Sequence, residues 1–208
     1  MLKIEKLPLG PILTNCYLVA DVESGDCVVI DAAWDAPVIR AAIERNNWNL
    51  CGIWLTHAHF DHIGGVAGLM KVNPDLPLAL HRLDKPLYDN GGGAKQWGIP
   101  MEIGPEPNLW LDEVEQLQLG GHIFDVLFVP GHAPGHVAFY CAETGDLFGG
   151  DVLFQMSIGR FDLPGADYNA LMNSIRNCFM TLPDETDVYP GHGENTTIGF
   201  ERRANPFL

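Results

Sequence analysis

Seven residues, Thr56-His57-Ala58-His59-Phe60-Asp61-His62, hold three imidazoles and a carboxylate. A hydrophobic core has no use for that density of polar side chains. Imidazole nitrogen and carboxylate oxygen are the ligands that zinc, iron and manganese take, so the pattern suits metal chemistry. The apolar Ile53-Trp54-Leu55 before it reads as a buried strand running to Thr56. Residues two apart on extended backbone project to one side, so His57 and His59 can grip one ion together. Beyond Phe60 the chain must turn, and Val66-Ala67-Gly68-Leu69-Met70 reads as a helix. That corner aims Asp61 and His62 at a second point, which implies two neighbouring metal sites.

Two ions need about four ligands each, with some positions left to water. Further candidates share one local setting: an apolar strand-like run stops at a glycine and a ligand-type residue follows. Phe124 to Gly131 precedes His132, Leu147-Phe148-Gly149-Gly150 precedes Asp151, and Val188-Tyr189-Pro190-Gly191 precedes His192. Strand ends are where loops converge to build sites. The candidate ligands are therefore His57, His59, Asp61, His62, His132, Asp151 and His192, which take five of the eight histidines. Ligating imidazoles need partners for their other ring nitrogen. Asp31, at the end of a strand run, can accept such an N–H, and His136 is expected to support the ligands from behind. Asn15 stands before a strand, where capping and facing the site are equally open. His81 and His122 read as surface or strand residues.

These residues resemble a known family. Thr56 to His62, Gly131-His132-Ala133-Pro134-Gly135-His136, Gly150-Asp151 and Gly191-His192-Gly193 look like the motifs of the metallo-β-lactamase fold. The resemblance runs from Thr14-Asn15-Cys16-Tyr17-Leu18-Val19 to the end of the chain. Within the superfamily the chain is most similar to the glyoxalase II group, the hydroxyacylglutathione hydrolases. Ser157-Ile158-Gly159-Arg160 and Pro190-Gly191-His192-Gly193 carry that likeness. Thr196-Thr197-Ile198-Gly199, Glu201-Arg202-Arg203 and Asn205-Pro206-Phe207-Leu208 resemble the tail of its short, stand-alone members.

The resemblance implies an α+β fold, the four-layer αββα sandwich. It also implies that His57, His59 and His132 hold a first metal, that Asp61, His62 and His192 hold a second, and that Asp151 bridges them. Zinc is the expected ion, with iron or manganese compatible. β-Lactamases of the superfamily often use a cysteine ligand. None of Cys16, Cys27, Cys51, Cys141 or Cys178 sits in a ligand motif, which argues against lactam hydrolysis. Relatives often read Gly-Arg-Thr-Asp where this chain reads Gly159-Arg160-Phe161-Asp162. An Arg160–carboxylate pair is expected there rather than a substrate contact.

The implied activity is thioester hydrolysis, for example of an S-(2-hydroxyacyl)glutathione. Two ions about 3.5–4 Å apart share one water and make it a hydroxide nucleophile near neutral pH, and Asp61 can orient it or receive a proton. No Gly-x-Ser-x-Gly elbow suggests a covalent route. A departing thiolate is a good metal ligand. The alternative is an iron-dependent persulfide dioxygenase on the same fold, with iron on His57, His132 and Asp151. Full-length glyoxalase II enzymes carry a further C-terminal helical segment that contacts glutathione. This chain runs only a short way past His192, so the expected partner is a small-molecule thioester whose acyl group and thiol no motif names.

A formal net charge of −15 opposes nucleic-acid binding, which rewards basic patches. No stretch resembles a membrane span or a signal peptide. Five scattered cysteines do not form a disulfide framework, so a cytoplasmic location is expected. Ligands spread from His57 to His192 argue for a single domain over residues 1–208.

The elements that must position these ligands are legible in outline. Leu2 to Leu7, Cys16 to Ala20 and Cys27 to Ile30 read as strands, with a turn at Gly25-Asp26. Asp35-Ala36-Pro37 opens a helix whose Val38, Ile39, Ala42 and Ile43 share a face. Gly120-Gly121 closes a hairpin between Val114 to Leu119 and Ile123 to Phe128. Asp167 caps a long helix with Leu171, Ile175, Phe179 and Leu182 on its buried side. Asn90 to Pro100 is irregular, and its three consecutive glycines loosen the backbone. It reads equally as a mobile flap offering Trp97 and Met101 to the site or as a surface connection.

Overall fold

Strands that are apolar on both faces must be covered on both. The computed structural model, which describes residues 1–208, achieves this by stacking two six-stranded sheets between helices. The first sheet contains, in spatial order, β1 (Leu2–Leu9), β2 (Thr14–Asp21), β3 (Asp26–Ile30), β4 (Asn49–Trp54), β5 (Leu78–Leu80) and β6 (Leu109–Trp110). The first three pair antiparallel and the rest parallel. The second sheet begins with β7 (Gln116–Leu119), β8 (His122–Phe128), β9 (Val137–Cys141) and β10 (Asp146–Gly150). A short hairpin follows, β11 (Leu153–Phe154) with β12 (Ser157–Ile158). Then β13 (Asp187–Pro190) joins parallel to β10, and β14 (Thr196–Thr197) closes that edge.

The layers follow from side-chain alternation. On β2, Cys16, Leu18 and Ala20 face helices α1 (Ala36–Asn46) and α3 (Val66–Met70), while Tyr17 and Val19 face the other sheet. Between the sheets, Trp54 meets Phe124 and Phe139 at ring-centroid distances of 5.3 and 5.4 Å. The outer face of the second sheet packs Tyr140, Leu147 and Val188 against Leu171 and Ile175 of α5 (Tyr168–Asn177). The single turn α2 (Phe60–Ile63) carries part of the ligand run. Short helix α4 (Lys85–Asp89) and C-terminal α6 (Ile198–Ala204) complete the fold. This is the expected αββα sandwich. No helix is long and apolar enough to cross a membrane.

Several expectations need adjustment. The strand feeding the ligand run ends at Trp54 rather than Thr56, so His57 and His59 stand on a loop. Val38 is 47 % exposed because it lies off the face shared by Ala36, Ile39, Ala42 and Ile43. Asp167 does cap α5, accepting the Ala170 N–H at 2.8 Å. That helix ends at Asn177, and Phe179 reaches the core from a separate 3₁₀ turn.

The layer between the sheets carries much of the stability. Phe139→Ala should destabilise the protein by about 3–5 kcal/mol, whereas Ile123→Ala, on a side chain 53 % exposed, should stay within about 0.5 kcal/mol. Urea unfolding of the two variants checks this contrast.

Candidate metal centre

The carboxyl ends of five strands meet at one edge of the sandwich. Asp31 follows β3, the loop with His57 and His59 follows β4, His132 lies beyond β8, Asp151 follows β10, and His192 lies beyond β13. All seven candidate ligands come together there. Donor atoms of His57, His59 and His132 form one group, and those of Asp61, His62 and His192 another. Asp151 lies between them. Its Oδ2 is 3.5 Å from both His132 Nε2 and His192 Nε2, and its Oδ1 is 3.4 Å from His62 Nε2. Asp61 Oδ2 is 3.2 Å from His62 Nε2 and 3.1 Å from His192 Nε2. A tetrahedral ion with ligands at about 2.0–2.1 Å separates its donors by about 3.3 Å, so these spacings suit ligation.

Hydrogen bonding sets the tautomers. Thr56 has one hydroxyl proton, which goes to Asp31 Oδ2 at 2.8 Å, so His57 Nδ1–H must donate to Thr56 Oγ1 at 3.0 Å. His62 Nδ1–H donates to the same Asp31 oxygen at 2.8 Å. His132 Nδ1–H donates to the Arg160 carbonyl at 2.8 Å. Each ring therefore turns its Nε2 lone pair inward. His57 Nε2, His62 Nε2 and Asp151 Oδ1 are buried without any hydrogen-bond partner. Buried polar atoms rarely stay unpaired, and a cation is the partner that this donor set fits.

Charge distribution points the same way. Burial, with neighbouring imidazoles adding to it, pushes His57 well below its ordinary value and His59 down to about 3, which keeps both neutral and able to donate a lone pair. Burial opposes charge on His62 as well, yet the carboxylates of Asp61, Asp151 and Asp31 raise it well above the usual range. His192 is raised by Asp151 and Asp61 against the same burial effect. The second group thus favours positive charge in its midst.

The supporting residues divide as follows. Asp31, in a left-handed conformation at φ 53°, also accepts the Thr56 amide at 2.8 Å, so one carboxylate orients two imidazoles. His136 stacks on His57 and its Nε2 accepts the Asp151 N–H at 3.0 Å. That nitrogen is used, so His136 supports Asp151 from behind. Asn15 Nδ2 donates to the carbonyls of Pro190 and Gly193, bracketing His192. Arg160 forms the expected carboxylate pair, with Asp162, through two 2.9 Å bonds. His122 is a buried strand residue paired with Glu143, and His81 caps a 3₁₀ turn, both away from the centre.

Two residues were not foreseen. Thr14 Oγ1 donates to Asp61 Oδ2 at 2.8 Å. Asp84 is fully buried and accepts the amides of Ala58 at 2.9 Å and Gly135 at 2.6 Å. It ties the first ligand loop to the loop of His132. Desolvation pushes its carboxyl up to about 6, while the two amides oppose that shift. Asp84 precedes Lys85-Pro86 and reads locally as a helix cap, so only the approach of two distant loops reveals its task.

The glycine-rich segment is a wall of the site. Gly91–Trp97 is a kinked 3₁₀ turn with Gly91 and Gly92 buried. A Cβ on Gly92, at φ 61°, would lie 2.2 Å from the Phe60 nitrogen, so glycine permits backbone-to-backbone contact with α2. Trp97 lines the cavity above the centre, whereas Met101 packs into the helix-side core. That cavity, about 380 Å³, reaches His59, Asp61, His132, Asp151 and His192.

The sequence profile of the metallo-beta-lactamase superfamily matches residues 9–192. Hydroxyacylglutathione hydrolase GloC of Haemophilus influenzae is 38 % identical over 209 residues, which span 100 % of this chain and 98 % of that protein. Among solved structures, the BLEG-1 B3 metallo-beta-lactamase superposes with a TM-score of 0.91 at 37 % identity, covering 99 % of both chains. TTHA1623 in a di-iron-bound form gives 0.89 at 45 % identity, covering 98 % of this chain and 100 % of the other.

Replacing Asp31 by Asn puts an N–H donor against groups that already donate. Asp31→Asn should weaken zinc binding about 10–100-fold, measured by chelator competition, with the far-ultraviolet circular dichroism retained.

Proposed function

The chain belongs to the metallo-beta-lactamase superfamily of metal-dependent hydrolases, and we propose that it is a dinuclear thioester hydrolase. One observation carries the proposal. Two groups of donor atoms flank Asp151, whose Oδ2 is 3.5 Å from a histidine of each, and open into a cavity lined by no Ser, Thr, Cys, Tyr or Lys. The usual hydroxyl, thiol and amine nucleophiles are absent from its walls, and the carboxylates and imidazoles there are the proposed metal ligands, which supports water as the nucleophile. GloC, a hydroxyacylglutathione hydrolase alike over the full length, supports a thioester as substrate.

In this reading His57, His59 and His132 would hold one ion, Asp61, His62 and His192 would hold the other, and Asp151 would serve both. Zinc is the proposed metal, and TTHA1623, which binds two irons, keeps iron in view. When bound, the ions supply a water acidic near neutral pH and polarise the substrate carbonyl. Asp61, steadied by Thr14, orients the attacking water and takes up its proton. Asp31 and the Arg160 carbonyl keep the ligand rings in the tautomer the site needs. Trp97 and Phe60 shield the thioester from bulk solvent. BLEG-1, 37 % identical to this chain, is named a metallo-beta-lactamase, so a lactam belongs among the test substrates.

Metal analysis of the purified protein, with three assays, tests the proposal: thioester cleavage with S-lactoylglutathione, oxygen uptake with glutathione persulfide, and lactam opening. Two ions per chain with thioester cleavage are expected. One iron per chain with oxygen uptake, or lactam opening without thioester cleavage, overturns the proposal. Asp151→Ala should strip both ions together, by elemental analysis, and two ions retained at full occupancy would refute the bridge.

A further inference from the structure

A second set of metal-type side chains meets at the opposite edge of the sandwich. Strands β8 and β9 run antiparallel, so His122 at the start of β8 lies beside Cys141 at the end of β9 and Glu143 in the turn that follows. The seven residues of β8 separate this spot from the end that leads to His132, about 20 Å of extended chain. One donor atom from each of His122, Cys141 and Glu143 lies within 4.8 Å of the others. His122 Nδ1–H donates to Glu143 Oε2 at 2.8 Å. His122 is 6 % exposed and Cys141 0 %, with its thiol free. A buried cysteine by itself is a small apolar filler, but this sulfur shares its space with an imidazole nitrogen and a carboxylate oxygen.

The far side of the imidazole carries a second, independent sign. His122 Nε2 faces Asp21 Oδ1 at 3.7 Å. Asp21 is buried and accepts the amides of Glu23 and Gly121, each at 3.1 Å, which fixes its carboxylate. The hairpin turn closes on it through Gly120, where a Cβ would lie 2.1 Å from Asp21 Oδ2. A carboxylate behind the outer ring nitrogen is what orients a ligating histidine, and Asp31 stands behind His62 in the same way.

We propose that His122 Nδ1, Cys141 Sγ and a Glu143 oxygen form a further, mononuclear zinc site, remote from the dinuclear centre. Thiolate, imidazole and carboxylate together suit zinc, with water completing the tetrahedron. The ion replaces the proton on Nδ1, the ring keeps its proton on Nε2 toward Asp21, and the thiol proton leaves to solvent. Nitrogen and oxygen donors around a tetrahedral zinc stand about 3.3 Å apart, and sulfur about 3.5 Å from either. The contact between His122 and Glu143 therefore opens while the sulfur closes in, and Glu143, 67 % exposed on its turn, has the freedom to move. Because of that rearrangement the site binds more weakly than the centre, so protein holding two ions per chain carries both at the centre. The proposal does not depend on the reaction performed there.

Cobalt(II) is the probe, since the seven residues of the centre include no sulfur and a cobalt–thiolate charge-transfer band can arise only from a cysteine. Metal-freed protein is titrated with cobalt(II), followed by near-ultraviolet absorption and equilibrium dialysis. Three ions per chain are expected at saturation, the third bringing a thiolate band. Cys141→Ser should abolish the band and saturate at two ions, while Asp151→Ala should keep the band. Glu143→Gln, on an exposed side chain and so expected to fold, should weaken the third site by at least about tenfold, the loss that removing even an outer partner causes. In protein loaded with three equivalents of zinc, X-ray absorption should show a zinc–sulfur distance of about 2.3 Å. Saturation at two ions without a thiolate band overturns the proposal. So does a band that survives in Cys141→Ser, or a third-site affinity unchanged in Glu143→Gln.

Discussion

Burial of unpaired donor atoms is the constraint around which this protein is built. His57 Nε2, His62 Nε2 and Asp151 Oδ1 are sealed from solvent and find no hydrogen-bond partner. Each such group costs about 1–3 kcal/mol when unsatisfied. A chain would not collect them at the meeting point of five strand ends unless something else returned that cost. Bound divalent ions do so in the proposed function. The arrangement also explains the close backbone approaches around Asp151. A Cβ on Gly191 would lie 2.1 Å from Asp151 Oδ1, so the strand end bearing His192 can come near only as glycine.

Two buried carboxylates that are not proposed ligands hold the geometry. Asp31 reaches from the end of β3 to Thr56 and His62, and so governs rings on both sides of the centre. Asp84 gathers one amide from the first sheet's ligand loop and one from the second sheet's. The sheets meet chiefly through apolar packing such as Trp54 with Phe124 and Phe139, joined near the centre by the bond from the Tyr17 hydroxyl to the Pro190 carbonyl at 2.7 Å. Non-directional packing sets spacing but does not fix angles to the accuracy a metal site needs. The directional bonds of Asp31 and Asp84 supply that accuracy.

Access to the centre is governed by a different part of the chain. The three-glycine turn bridges from helix α4 to Trp97 and presses Gly92 against Phe60. An isolated reading of the glycines suggests looseness, since glycine frees the backbone. Here their lack of side chains lets two backbones touch, and all three adopt positive φ. The segment becomes a shaped wall whose character is set by Trp97 above and by the apolar residues opposite.

The seven side chains that converge at the centre were legible in the sequence because metal chemistry demands particular side chains. His57, His59, Asp61 and His62 crowd into one run, and His132, Asp151 and His192 each follow a strand that stops at glycine. The strands, the hairpin at Gly120 and the cap at Asp167 were legible too, because alternation and turn residues are local properties. Asp84 and Thr14 were hidden, since an aspartate before Lys-Pro and a threonine at a strand start each have ordinary local roles. The apolar walls of the cavity were hidden as well, because Ile12, Leu87, Phe154 and Leu163 are dispersed along the chain. Residue type and spacing decide which atoms can bind a metal, for that depends on the atoms themselves. Which of them meet, and what surrounds them, depends on contacts between segments more than a hundred residues apart, and only the folded chain decides that.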